Sequence, residues 1–420
     1  MEILELTTPE PRRADIIVED ITVEYIPGFG KPWALLIMAY LAPENIPDMK
    51  YGILPILVGL FLGLGAPKAQ VVNTATIDTL ANVQVGNMSI GGFIDTYYSY
   101  NSSLPNSKNI DYLSSSARHN EMNINLAYLD LRYSSPRLQS RLVAGYGTFM
   151  MVNYQNEPEP LKFLLEASIG VKPFKNYNAW ISAGVIGSPF TNESYLSKDH
   201  LMYTRSLAAE NVPYYLTGIK AQFPLSEKLT LSVYGINGWQ NITEYNEGKA
   251  VATQLEYRPN KKLILNWNTY IGDEASDSTP EYRTRLFSDV FLIYSGKKWD
   301  FTSSMYLGMQ MKKDSLGSES NPIWYSLNGI ARYRFNPTFS LSGRLEYFRD
   351  QNNVLVQPQT QNKNFHVLGS GLCFNVHGWD RFLFRVEGRY FYGFKRVFRN
   401  AQGAEAQHNA QITVGISAWF

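Results

Sequence analysis

The chain has 420 residues, with 38 lysines and arginines against 37 acids, and its net charge of +1 gives no electrostatic footprint for nucleic acid. Its single cysteine, Cys373, excludes an intramolecular disulfide and a cysteine-built zinc or iron–sulfur centre. Charged residues make up only 18%, below the roughly 25% of an ordinary soluble domain, while tyrosine (28), phenylalanine (22) and glycine (31) are abundant and mean hydropathy is −0.23; a bundle of apolar helices is excluded, and a membrane barrel with alternating lipid-facing and water-facing residues fits.

Residues 1–48 are acid-rich, and Pro9, Pro11, Pro27, Pro32, Pro43 and Pro47 leave no room for a long helix. The apolar stretch at 33–41 is too short to cross a bilayer. Met49-Lys50 then opens an apolar run to Gly65, followed by Ala66-Pro67-Lys68-Ala69. A short basic end, an apolar centre and a small residue at the exit are the marks of a secretory signal peptide, with cleavage after Ala69. The expected organisation is therefore a non-native upstream extension or unstructured segment (1–48), a signal peptide (49–69) and an outer-membrane β-barrel (70–420).

From Met88 onward the pattern has period two. In 338–347, Phe339, Leu341, Gly343, Leu345 and Tyr347 share one face, and Ser340, Ser342, Arg344 and Glu346 the other. Segments 262–271 and 382–392 alternate the same way, apart from Ile264. About sixteen such strands are predicted, beginning near Met88, Met122, Leu138, Phe163, Tyr177, Pro213, Lys228, Ala250, Lys261, Arg285, Lys298, Ile323, Thr338, Asn364, Arg381 and His408. Short turns such as Ser134-Ser135-Pro136-Arg137, Arg258-Pro259-Asn260 and Asn336-Pro337 alternate with long polar loops at 101–120, 153–161, 188–212, 237–249, 272–282, 312–322, 350–363 and 395–407. This rhythm predicts an all-β fold: a transmembrane antiparallel β-barrel with short periplasmic turns and long extracellular loops. The chain ends Gln-Ile-Thr-Val-Gly-Ile-Ser-Ala-Trp-Phe, an alternating strand closed by Phe420, which is the expected assembly signal for outer-membrane barrels.

Three stretches resemble the β-barrel porin-2, OmpL-like, family. They are Gly91-Gly92-Phe93-Ile94-Asp95-Thr96-Tyr97-Tyr98-Ser99-Tyr100-Asn101, Ala127-Tyr128-Leu129-Asp130-Leu131-Arg132, and 187–218 with Tyr203-Thr204-Arg205-Ser206, Pro213-Tyr214-Tyr215 and Gly218. The resemblance implies an outer-membrane porin-like barrel, with no catalytic residues and no settled substrate.

The residues agree with that implication. Metalloprotease, P-loop, dinucleotide-binding and EF-hand patterns are missing from the sequence. Its five histidines are scattered, and Asp199-His200 reads as a loop pair. No cofactor is expected. Charges recur instead on the water-facing phase: Asp95, Asp130, Arg132, Arg141 and Glu166 early, Arg332, Arg334, Arg344, Glu346, Arg385, Glu387 and Arg389 late. On the lipid face each arginine would cost about 2–4 kcal/mol at mid-depth, so these groups are assigned to the lumen as pore-lining candidates. Aromatics near strand ends, including Tyr97, Tyr270, Trp324 and Trp419, are assigned to interfacial girdles. The longest loop, 188–212, carries Tyr195, Leu196, Leu201, Met202, Tyr203, Leu207 and Ala208 at near-helical spacing, with Asn192 or Ser194 as a cap. That much apolar surface predicts packing into the barrel, which adds Arg205 to the pore-lining set. The expected function is passive diffusion of small hydrophilic solutes or ions. The alternative is a barrel with a structural, adhesion or partner-binding role through its loops. Expected partners are the outer-membrane bilayer, the barrel assembly machinery, the solutes and, by analogy with sixteen-stranded porins, two further copies in a homotrimer.

Overall fold

The computed structural model describes residues 83–378 and 381–420; the predicted extension, signal peptide and cleavage site lie outside the described residues. Sixteen antiparallel strands form a closed barrel. In chain order they are β1 (Met88–Asn101), β2 (Met122–Ser134), β3 (Leu138–Tyr146), β4 (Leu164–Val171), β5 (Trp180–Gly187), β6 (Tyr215–Pro224), β7 (Leu229–Ile236) and β8 (Ala250–Asn260). The second half comprises β9 (Leu263–Asp273), β10 (Tyr282–Ser295), β11 (Trp299–Lys313), β12 (Ile323–Arg334), β13 (Phe339–Asp350), β14 (Phe365–His377), β15 (Phe382–Gly393) and β16 (His408–Trp419). Every predicted start falls within three residues of an observed strand.

Each strand pairs with its neighbours in sequence, and β16 returns to β1 with Phe93 opposite Trp419 and Asn101 opposite Gln411. Closure is a physical requirement, because a free edge in lipid would leave a row of unpaired N–H and C=O groups. The period-two pattern decides which side faces lipid. On β13, Leu341 and Leu345 are exposed outward, while Ser340, Ser342, Arg344 and Glu346 are buried inward. Short connections and long loops alternate around the ring as the sequence predicts, so the long loops cluster at one end, the extracellular end of such a barrel.

The interior is not a plain aqueous tube. In its long-loop half, Ile110 and Leu113 of the first loop, Leu207 and Val212 of the third, and Val354, Val356, Val397 and Phe398 of the last two pack together against Phe348, Phe365 and Phe391 of the wall. The Asp350 carboxylate accepts the N–H groups of Val354, Leu355 and Val356 at 2.7–3.0 Å, fixing one of these loops inward. This core corrects the girdle assignment of three aromatics. Tyr97, Tyr270 and Trp324 have the inward phase and are at most 2% exposed, because folded-in loops give large apolar rings a dry place inside the barrel. Trp419 also takes the inward phase, beneath the Lys198 ammonium. Tyr257, Trp267, Tyr294, Trp299 and Tyr390 do face outward.

Phe420 continues the ladder beyond β16. Its N–H donates to the Gly92 carbonyl at 3.0 Å and its carbonyl accepts the Gly92 N–H at 3.1 Å. Its ring covers the outward face of Gly92, where a Cβ would collide with it. The terminal residue therefore contributes to the closing seam itself, at the short-turn end. Deleting Phe420, or replacing it by aspartate, is expected to abolish assembly; the check is the heat-modifiable band in outer-membrane fractions, which should fall to background.

Candidate functional site: the inner loop and the cavity beneath it

The connection between β5 and β6, residues 188–214, runs inside the barrel and touches wall strands around most of the circumference. The Thr191 N–H donates to Asp289 of β10 at 2.9 Å, and the Asn192 amide to Thr302 of β11 at 2.8 Å. The Tyr195 hydroxyl donates to Glu166 of β4 at 3.0 Å, and Arg385 of β15 donates to the carbonyls of Ser197 and Met202 at 2.7 and 3.0 Å. The Tyr203 hydroxyl donates to Asp95 of β1 at 3.0 Å. Arg344 of β13 donates to the Thr204 carbonyl at 2.7 Å, and the Leu207 N–H donates to Glu346 at 2.6 Å.

The near-helical spacing of this loop does not produce the expected helix. Only Leu207–Glu210 is α-helical, capped by Ser206 instead of Asn192 or Ser194. The reason lies in the acceptors on offer. Glu387 takes the N–H groups of Tyr203 and Thr204 at 2.7 and 2.9 Å, Glu193 takes that of Ser206, and Glu346 that of Leu207. Two wall carboxylates and one from the loop itself thus satisfy backbone donors that a helix would have satisfied internally. Small inward residues make the seat. Met202 packs on Cys373 and Ile330, and a Cβ at Gly415 would overlap the ring of Tyr203. The neighbouring element, in the second long loop between β3 and β4, is α1 (Thr148–Asn153), which enters the lumen through a left-handed turn at Gly147 (φ 137°) and packs Phe149 edge-on against Tyr214.

Three groups of charge follow from this arrangement. At mid-barrel, Arg344 lies 3.2 Å from Glu346 and 3.1 Å from Glu387, and Arg389 lies 2.8 Å from Glu346, with all four side chains at most 1% exposed. Toward the short turns, Asp130 binds Arg132 and Arg141, and Arg141 also binds Glu166 at 2.9 Å. On the opposite strands, Asp300 holds Arg332 at 2.7 Å and Arg334 at 2.5 Å. Asp199 pairs with Lys198 at 2.7 Å, and His200 donates from Nε2 to the Ser194 carbonyl. Burial holds the His200 imidazole well below its usual pKa, so it stays neutral.

Beneath the loop lies a cavity of about 460 Å³, reaching toward the short-turn end. Of the sequence-selected residues, Arg132, Arg141, Glu166, Arg205 and Arg332 line it. Asp130 is buried behind its arginine partners, and Arg334 sits beside the cavity on Asp300. Asp95, Arg344, Arg385 and Arg389 face inward but are covered by the loop, at most 3% exposed. Sequence reasoning passed over Lys220, Glu256, Arg258 and Asp300 as cavity residues. The signal was available, since Lys220 and Gln222 hold the polar phase of β6 against Ile219 and Ala221.

The family described as "Putative beta-barrel porin-2, OmpL-like" matches residues 87–420. The chain belongs to this family. It is an integral outer-membrane protein. Among solved structures it is similar to the outer membrane channel DcaP of Acinetobacter baumannii (10% identity, 81% of this chain and 100% of that one, TM-score 0.55). It is also similar to outer-membrane expressed OmpT of Vibrio cholerae (9% identity, 81% and 100%, TM-score 0.53) and to Salmonella typhi OmpF (11% identity, 81% and 100%, TM-score 0.51). At these identities the likeness is one of fold. No curated relative matches the chain.

Replacing Glu387 by alanine removes the acceptor for two loop N–H groups and leaves Arg344 short of a partner. The expected loss is about 3–5 kcal/mol of stability, read as a lower urea midpoint of the refolded barrel.

Proposed function

We propose that this porin-family barrel is a passive outer-membrane channel for small hydrophilic solutes, and that residues 188–214 set its passage. The single observation that supports this most is the loop itself: a closed barrel with a charged interior whose lumen is crossed by residues 188–214, held to the wall through hydrogen bonds. Such contacts hold a constriction in place and give it hydrogen-bonding edges. Asp95, Arg205, Arg344, Arg385 and Arg389 then act by holding or lining the constriction, and Arg132, Arg141, Glu166, Arg332 and Arg334 by setting the field of the cavity below. The test is planar-bilayer conductance of the refolded protein. Deleting residues 194–209 is expected to enlarge the unit conductance and shift the reversal potential in a salt gradient; unchanged values in a folded barrel would remove the loop from the passage.

The wall formed by β3 to β7 supports a homotrimer. These strands have 8–10 residues, against 11–15 in β8 to β16. At about 3.4 Å per residue and a tilt near 45°, eight residues rise only about 19 Å, less than the ~25 Å apolar band of an outer-membrane barrel. The outward side of this low wall carries Leu142, Ala144, Ala167, Ile169, Ala183 and Ile219, small or aliphatic groups that pair across neighbouring strands. Flat aliphatic surface flanked by insufficient strand length calls for protein cover, and OmpT of Vibrio cholerae, of similar fold, is described in a trimer form. Ala183→Arg is expected to convert trimers to monomers on native gels while heat-modifiability is retained.

A further inference from the structure

We propose that the cavity beneath the inner loop contains a binding site for small oxyanions, such as inorganic phosphate or a short carboxylate, anchored on Lys220 with Arg205 as the second contact. The proposal gives the channel reading above a solute class.

Seven basic residues line the cavity against five acidic ones. Most of these charges cancel locally: Arg141 lies on Glu166, Arg332 on Asp300, Arg258 on Glu256 and Lys198 on Asp199. Among the described residues, Lys220 and Arg205 are the two lining cations without a carboxylate in ion-pair contact.

Lys220 projects inward from β6, where Ser182 of β5 and Tyr234 of β7 flank it. Its ammonium lies 5.4 Å from the centroid of the Tyr234 ring. The wall around it supplies neutral donors and acceptors, Gln254 and Asn266, hydrogen-bonded to one another at 2.9 Å. A partly exposed ammonium with amide neighbours and no fixed counter-charge attracts an anion at little desolvation cost and repels cations.

Arg205 is 2% exposed. Its Nη2 donates to the carbonyls of Glu193 and Ala209 at 3.1 and 2.9 Å, and its guanidinium lies 3.8 Å from the Tyr214 ring centroid. The other two nitrogens, Nε and Nη1, have no acceptor. They lie on different edges of the guanidinium, so either one can give an oxyanion a single charge-assisted hydrogen bond. An idle buried donor is costly, and an anion that reaches one of them would relieve that cost. The opposing group is Glu193. One of its oxygens accepts the Ser206 N–H, the other has no partner, and burial raises its pKa, which weakens its opposition. The site thus has two heights: Lys220 on the wall of the cavity and Arg205 in its roof.

The experiment uses the full refolded barrel, the variants Lys220→Glu, Lys220→Arg and Arg205→Gln, and two readouts. Calorimetric titration with inorganic phosphate in detergent reports the site without requiring conduction. Reversal potential in a potassium chloride gradient reports selectivity. Saturable phosphate binding is expected, weakened about tenfold or more by Lys220→Glu and Arg205→Gln and retained by Lys220→Arg, as loss of one charge-assisted contact predicts. The reversal potential should indicate anion preference in the parent and move toward potassium in Lys220→Glu. Phosphate that fails to saturate, or binds equally to the parent and to folded Lys220→Glu, overturns the site even if the barrel conducts. A barrel that binds phosphate through Lys220 yet is silent in bilayers keeps the site and overturns the channel reading.

Discussion

The seam between β1 and β16 is the constraint from which the rest of the architecture follows. Lipid cannot accept or donate main-chain hydrogen bonds, so the sheet must close on itself, and closure separates an outer face from an inner one. The hydrogen bonds from Asn101–Gln411 down to Gly92–Phe420 complete the ring. Once it is closed, the period of two distributes side chains without further choice: Leu345, Trp267 and Ile416 outward, and Arg344, Asn266 and Ser417 inward. Arginine and glutamate are then confined to a space where they find partners or water.

That confinement explains the inner loop. A wall bearing Asp95, Glu166, Asp289, Glu346 and Glu387 presents acceptors to any segment that enters, and residues 188–214 bring the matching N–H and hydroxyl groups. The buried Arg344–Glu346–Arg389 cluster gives little net stability of its own, because desolvation offsets much of its attraction. Its effect is on register: each wall carboxylate has one geometry in which all its donors are satisfied, which fixes where the loop crosses. Above it, the long loops pack an apolar core against the wall; below it, the cavity is lined by polar and charged groups. The lumen is thereby divided into an extracellular half narrowed by apolar packing and a charged lower half.

The low wall of β3 to β7 and the cavity lie on related sides of the barrel. Lys220 stands on β6, one residue along from Ile219 and Ala221 on the outward face. One short strand therefore carries both the aliphatic surface that calls for a neighbouring copy and the cation that faces the solute. Period two lets a single strand serve both purposes independently, since adjacent residues face different media.

By itself the sequence determined the barrel. Strand count, strand starts, the alternation of short and long connections and the inward phase of the charges are all local properties of a period-two pattern, and each is present in the structure. It also marked residues 188–212 as a segment with too much apolar surface for an exposed loop. Only the tertiary structure decided how that segment folds. Its helical spacing was overridden because Glu346 and Glu387, more than a hundred residues away in the chain, accept its N–H groups. It likewise decided that Tyr97, Tyr270 and Trp324 pack inside, since a girdle tyrosine and a lumen tyrosine differ only in which side of the sheet they occupy and what loop arrives to cover them. The division of the arginines into loop-clamping and cavity-lining sets has the same cause. Phase places a side chain inside the ring, but its exposure there depends on the path of a distant connection, which no local pattern encodes.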